Sequence, residues 1–164
     1  MAKDAIRIGV TGHQARPGLV WGWTAHALRT ELASETRRLE GWSSLAIGAD
    51  QLFARTVLAL GGTLVTVVPG PWYESCFDAQ GLACYHALLA RSERVDLTGG
   101  QEGAAFLAAG MIVAGRSDRL IAIWDGAAAQ GKGGTADIVA HALAIGRPVV
   151  RLDPIRCERS VLGN

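Results

Sequence analysis

The stretch from Ser117 to Val150 reads SDRLIAIWDGAAAQGKGGTADIVAHALAIGRPVV. An apolar run, Leu120 to Trp124, breaks at Asp125-Gly126 into a loop of small residues that holds Gly131, Gly133 and Gly134. Thr135 then opens a helical pattern that stops at Gly146, and a second apolar run, Pro148 to Leu152, follows. The order is strand, loop, helix, strand, which predicts two parallel strands with the helix as their crossover. A glycine loop that feeds a helix N-terminus presents unpaired N–H groups and the positive end of the helix dipole, a natural place for an anion.

Working outward, the same unit recurs toward the N-terminus. Ala5 to Val10 is a β-rich run that breaks at Thr11-Gly12-His13-Gln14. Trp21, Ala25, Leu28, Leu32 and Leu39 fall at a helical period, which predicts a helix ending near Gly41. Ser44 to Ile47 is expected as the second strand, followed by a helix through Leu52, Phe53, Val57 and Leu60. Thr63 to Val68 is the most β-branched run and is cut off by Pro69-Gly70-Pro71. The aromatic stretch Trp72 to Phe77, a helical face from Leu82 to Leu89, a short strand Arg94 to Leu97 and an Ala-rich helix Ala104 to Ala114 complete the series. Six strands alternating with five helical segments predict an α/β fold: a single Rossmann-like domain, its parallel sheet of about six strands covered by helices on both faces. The domain is expected to span 1–153, with 154–164 as a C-terminal tail, either loose or a dimer contact.

Bulk composition narrows the function classes. The chain has 164 residues, one domain's worth, and 49% hydrophobic residues supply a core. A net charge of +1 without a basic run predicts no extended nucleic-acid surface. No apolar run approaches the ~20 residues of a membrane span, so no membrane partner and a cytoplasmic location are expected. Cys76, Cys84 and Cys157 lack C-x-x-C spacing and read as reduced thiols. No metal-ligand spacing, Ser-His-Asp order or cofactor motif emerges.

In an open parallel sheet, ligands bind beyond the carboxyl ends of the strands. The residues to inspect are therefore Thr11 to Gln14 after the first strand, with Thr11, Gly12 and His13 as candidates; Gly48 to Asp50 after the second, with Gly48 and Asp50; Pro69 to Tyr73 after the third, with Pro69, Trp72 and Tyr73; and Thr98 to Gly100 after the fourth. Asp125 and the loop Gly131, Lys132, Gly133, Gly134 and Thr135 follow the fifth. The last loop has the parts of a phosphate cradle, although its order is not that of a Walker A loop. Asp50 is either an N-cap or a partner for ribose hydroxyls, and Asp125 either a turn residue or the same kind of partner. Trp72 and Tyr73 can stack a base, pack a lid or pack a dimer interface; Trp124 reads as core. Asp137, in the first helical turn, competes with an anion for the same N–H groups, supports the cap or takes a sugar hydroxyl.

Taken together, IGVTGH at the start, IGAD and VVPGPWYESCF in the middle, and SDRLIAIWDGAAAQGKGGTADIVAHA with GRPVV resemble the SLOG superfamily of Rossmann-like domains, from Ile8 to about Leu152. Its members include the "lonely guy" phosphoribohydrolases, the Rossmann-like domain of DNA-processing proteins and sensor domains that bind nucleotide-derived ligands. The resemblance implies nucleotide or nucleotide-sugar binding at Thr11 to His13 and Gly131 to Thr135, and homo-oligomers. The phosphoribohydrolase signature P-G-G-x-G-T-x-x-E places Gln130 at the Pro, Lys132 at the second Gly, Gly134-Thr135 at the G-T and Ile138 at the catalytic Glu. Asp137 is adjacent but points about 100° away around a helix. Three readings follow: a module that binds a nucleotide or nucleotide-derived small molecule; an N-ribosyl hydrolase or transferase acting on a nucleoside monophosphate, with Asp137 or Glu74 as displaced catalytic carboxylate; and an oligomerising protein with a vestigial site.

Overall fold

The computed structural model describes residues 4–129 and 133–163. Its strands are β1 (Ala5–Gly12), β2 (Arg38–Ser43), β3 (Thr63–Val68), β4 (Ser92–Asp96), β5 (Arg119–Ile123), β6 (Val149–Asp153) and β7 (Glu158–Leu162). Its helices are α1 (Trp21–Ala33), α2 (Ala49–Ala59), α3 (Ala79–Leu89), α4 (Glu102–Arg116) and α5 (Thr135–Ala144), with a 3-10 turn at Tyr73–Cys76. The strands form one sheet in the order β4-β3-β2-β1-β5-β6-β7. β1 to β6 are parallel, and β7 pairs antiparallel with β6. The strand order reverses between β1 and β5.

Burial on both faces explains the near-continuous apolar strands. Along β3, Leu64 and Val68 enter one core and Val65 and Val67 the other; along β5, Ile121 and Ile123 alternate with Leu120 and Ala122 in the same way. The first core packs under α1, α2 and α3 through Leu28, Leu32, Phe53, Val57 and Tyr85. The second packs under α4 and α5 through Ala109, Val113, Ile138, Val139 and Ala142. Each fully buried leucine or valine contributes about 1.5–3 kcal/mol, and the strands hold such residues on both faces.

The structure moves the second strand. β2 covers Arg38 to Ser43, not Ser44 to Ile47, and α1 ends at Ala33 rather than near Gly41. Leu39 fits the helical period only because it lies seven residues beyond Leu32; its side chain enters the first core from β2. The chain turns between the two elements because Ser34 donates to the Glu31 carbonyl (2.7 Å) and the Glu35 carboxylate accepts the N–H groups of Thr36 and Arg37 (3.2 Å each). Residues 44–47 stay out of the sheet because the Asp50 carboxylate takes the N–H groups of Ser44 (3.2 Å) and Ala46 (3.4 Å), which a strand would need for its ladder.

The segment expected as a tail also differs. Residues 158–162 form β7, tied down by Arg159, whose guanidinium donates to the buried Glu31 carboxylate of α1 at 2.7 and 3.3 Å. Asp153 makes the turn into it by accepting the N–H groups of Ile155 and Arg156 (3.0 Å each). Among the described residues, no helix is long and apolar enough to cross a membrane.

Candidate functional site

The carboxyl ends of β1, β2 and β3 and the N-terminus of α5 converge on a cleft of about 220 Å3. Thr11, Gly12, Asp50, Pro69, Tyr73, Gly133, Gly134 and Thr135, all expected at the site, line it. The β1 loop is held from both sides: the His13 N–H donates to the Ile123 carbonyl and the His13 carbonyl accepts the Ala49 N–H, both at 3.1 Å. Gly48 sits at φ +90°, and a Cβ there would run into the backbone of Gln14 and His13, so the position is closed to any side chain.

The N-cap of α2 is Gly48, so Asp50 is not the cap. It lies in the first helical turn, buried, where it organises the 44–46 loop. Burial pushes its carboxyl up to about 6, against the N–H groups of Ala46 and Ser44 and the Ser43 hydroxyl, which favour the charged form. A carboxyl that can change charge near neutrality therefore lies in the cleft wall.

At the opposite wall, Gly134 caps α5 in an extended conformation and, being glycine, brings no side chain to the helix start. Gly133 has φ +81°, and a Cβ there would come within 2.6 Å of the Leu107 backbone nitrogen. Asp137 turns back to accept the Gly133 N–H at 3.1 Å at the start of the helix. Ile138, where the phosphoribohydrolase signature has Glu, is buried and gives the cleft an apolar wall together with Phe106, Ala109 and Val113. Gly131 and Lys132 lie outside the described residues.

Other expected residues go elsewhere. Glu74 is exposed and pairs with His86 at 2.7 Å, outside this cleft. Tyr73 is buried in an aromatic cluster, with ring centroids 5.1 Å from Phe77 and 5.7 Å from Tyr85, so only part of it faces the cleft. Burial raises its hydroxyl well above the usual tyrosine range. Trp72 packs edge-on against Phe106 at 5.4 Å and does not line the cleft; its indole N–H is buried without a partner among the described residues.

His13 and Asp125 meet on the far side of the β1 loop, with His13 Nε2 3.0 Å from Asp125 Oδ1. Arg16, which sequence reasoning passed over, reaches Asp125 Oδ2 at 3.3 Å. Burial pushes the Asp125 carboxyl up, but the Ala127 N–H, His13 and Arg16 together hold it below the usual carboxylate range. Gln14, the last of the residues to inspect after the first strand, lines the first cleft. Arg16 stands in the same turn as His13, which was the available signal.

No family model matches the chain, and no curated protein matches it in sequence. Among solved structures, the fold matches DNA processing protein A from Helicobacter pylori, described for a single-stranded DNA binding mode, with TM-score 0.63 and 17% identity over 90% of this chain and 65% of that one. It matches DNA processing protein A from Streptococcus pneumoniae with TM-score 0.63 and 20% identity, over 90% of this chain and 50% of that one. The molybdenum cofactor carrier protein from Chlamydomonas reinhardtii matches with TM-score 0.54 and 23% identity, over 90% and 76%. The chain thus spans about two thirds and one half of the lengths of the two DNA processing proteins. The H. pylori protein overturns the expectation of no extended nucleic-acid surface: a protein of this fold binds single-stranded DNA, so a near-neutral net charge does not exclude that partner class. The Rossmann-like α/β fold that the sequence resemblance implies is the fold shared with these proteins.

Proposed function

We propose that this chain binds a nucleotide or nucleotide-derived small molecule in the 220 Å3 cleft. The observation that carries the reading is that the N-terminus of α5, with glycine as its N-cap, opens on the same cleft as the buried Asp50 carboxyl. Backbone N–H groups of the first turn of α5 suit a phosphate, and a carboxylate suits ribose hydroxyls. The apolar wall of Phe106, Val113 and Ile138 suits the flat, weakly polar faces of a base. That the same fold serves a molybdenum cofactor carrier and a single-stranded DNA binding protein supports a small phosphorylated ligand or a nucleotide unit.

A second reading is hydrolysis or transfer at the N-ribosyl bond of a nucleoside monophosphate. Asp137 and Glu74 are its sequence-derived catalytic candidates, but the observation that favours it is the Asp50 carboxyl raised to about 6 inside the cleft, since acid-base work needs a group that titrates near the working pH. One experiment separates the two. The chain is incubated with a panel of nucleoside monophosphates while thermal stabilisation and free base are followed. Stabilisation with intact ligand is the expected result; free base with ribose 5-phosphate would replace binding by catalysis, and no stabilisation by any member would sink both.

A further inference from the structure

A second cleft, of about 540 Å3, lies on the other side of the β1 loop. It shares Gly12, Gln14, Gly134 and Thr135 with the first, so the two meet along one ridge. It also lies where the strand order reverses, between β1 and β5, the usual location of a ligand crevice in such sheets. Its chemistry differs from that of the apolar cleft. Trp124, partly exposed, contributes an aromatic wall and is fixed in place: its indole N–H donates to the Ala127 carbonyl at 2.9 Å, and the Arg151 guanidinium lies 5.6 Å from the ring centroid. His13 and Arg16 also line it, both anchored on Asp125. A guanidinium has five N–H donors, so Arg16 keeps donors beyond those facing Asp125.

We infer that the two clefts are halves of one site and that its ligand is a phosphodiester-linked pair of nucleosides. One unit occupies the 220 Å3 cleft, the linking phosphate crosses the ridge at the N-terminus of α5, and the second unit enters the 540 Å3 cleft. There its base lies against Trp124 and its outer anionic group is met by Arg16. The inference rests on the nucleotide reading of the smaller cleft. A mononucleotide would leave the aromatic wall and the anchored Arg16 guanidinium without a role. The same chemistry has two sources, a free dinucleotide and the end of a single strand.

The test is calorimetric titration of the whole chain with 5′-phosphorylated mononucleotides and the corresponding dinucleotides. At least one dinucleotide is expected to bind about tenfold or more tightly than its mononucleotide, a gain of one good contact. Arg16→Ala and Trp124→Leu are each expected to remove most of that gain; Arg16 is partly exposed and its loss leaves the core untouched, which keeps the test valid if the Trp124 variant misfolds. Mononucleotides that bind as tightly as dinucleotides would overturn the two-part site while leaving the nucleotide reading standing. Binding of neither would overturn both. A single-stranded oligonucleotide that competes with the dinucleotide identifies a strand end as the source, and one that fails to compete identifies the free dinucleotide.

Discussion

Ile138 of α5 packs directly onto Gly110 of α4: a Cβ at position 110 would run into its Cδ1 and Cγ1 atoms. The position that carries a catalytic Glu in the phosphoribohydrolase signature therefore holds an apolar side chain that lines the cleft and packs between the two helices. Gly110→Ala is expected to destabilise the fold by about 1–3 kcal/mol, the usual cost of overpacking. Chemical denaturation of the variant beside the wild type measures it, and an unchanged midpoint would mean that the two helices can part freely.

Asp50 gives stability a particular pH dependence. Its folded-state carboxyl is raised from 3.8 to about 6, so between those values the folded chain holds a proton that the unfolded chain has released. Stability from this group is complete below about 4 and falls as pH rises toward 6. The contribution is on the order of 2–3 kcal/mol. Asp118, Asp125 and Asp153, all held low, slope the other way, so the comparison is with Asp50→Asn, which keeps an oxygen for the Ser44 and Ala46 N–H groups. Denaturation midpoints of the two proteins from pH 4 to 7 should converge at low pH, with the wild type losing ground as pH rises. Parallel curves would refute the raised carboxyl.

Gly133→Ala should weaken both fold and site. The residue has a left-handed backbone, which costs a side chain roughly 1–2 kcal/mol, and its Cβ would press on the α4 backbone at Leu107. The expected outcome is a lowered melting temperature together with loss of nucleotide-induced stabilisation. A variant that melts lower yet is stabilised as strongly as the wild type would remove this wall from the ligand site.

Arg159→Ala should loosen β7 alone. Glu31 is buried, while the Arg159 side chain is half exposed, so the pair adds no more than about 1 kcal/mol. Hydrogen exchange of the β7 amides is expected to quicken while β1 and β5 stay protected. Uniform quickening across the sheet would show that the pair supports the whole domain.

The fold was legible because its signal is redundant. Glycine or proline breaks follow the β1, β3 and β5 runs, and the run of Thr63 to Val68 matches β3 residue for residue. Errors fell where a local pattern was satisfied by a tertiary contact. Leu39 kept the helical period but belongs to β2, and Ser44 to Ile47 is apolar enough for a strand but has its N–H groups taken by Asp50, six residues from Ser44 and four from Ala46. β7 was missed because its sequence, ERSVL, has no strong alternation; pairing with β6 and the Arg159–Glu31 contact across 128 residues make it a strand. Of the site, the strand-end residues could be read, since topology alone places them. The separation of His13 and Asp125 from the first cleft could not be read, because it depends on which side of the β1 loop each side chain takes.

The double anchoring of that loop, by Ile123 on one side and Ala49 on the other, bears on kinetics. Its backbone bonds are already made, so an incoming ligand meets this part of the site in its final shape and little ordering entropy is lost there. Association at the β1 side should then follow a single exponential whose rate rises in proportion to ligand concentration, without the plateau that a rate-limiting loop closure imposes.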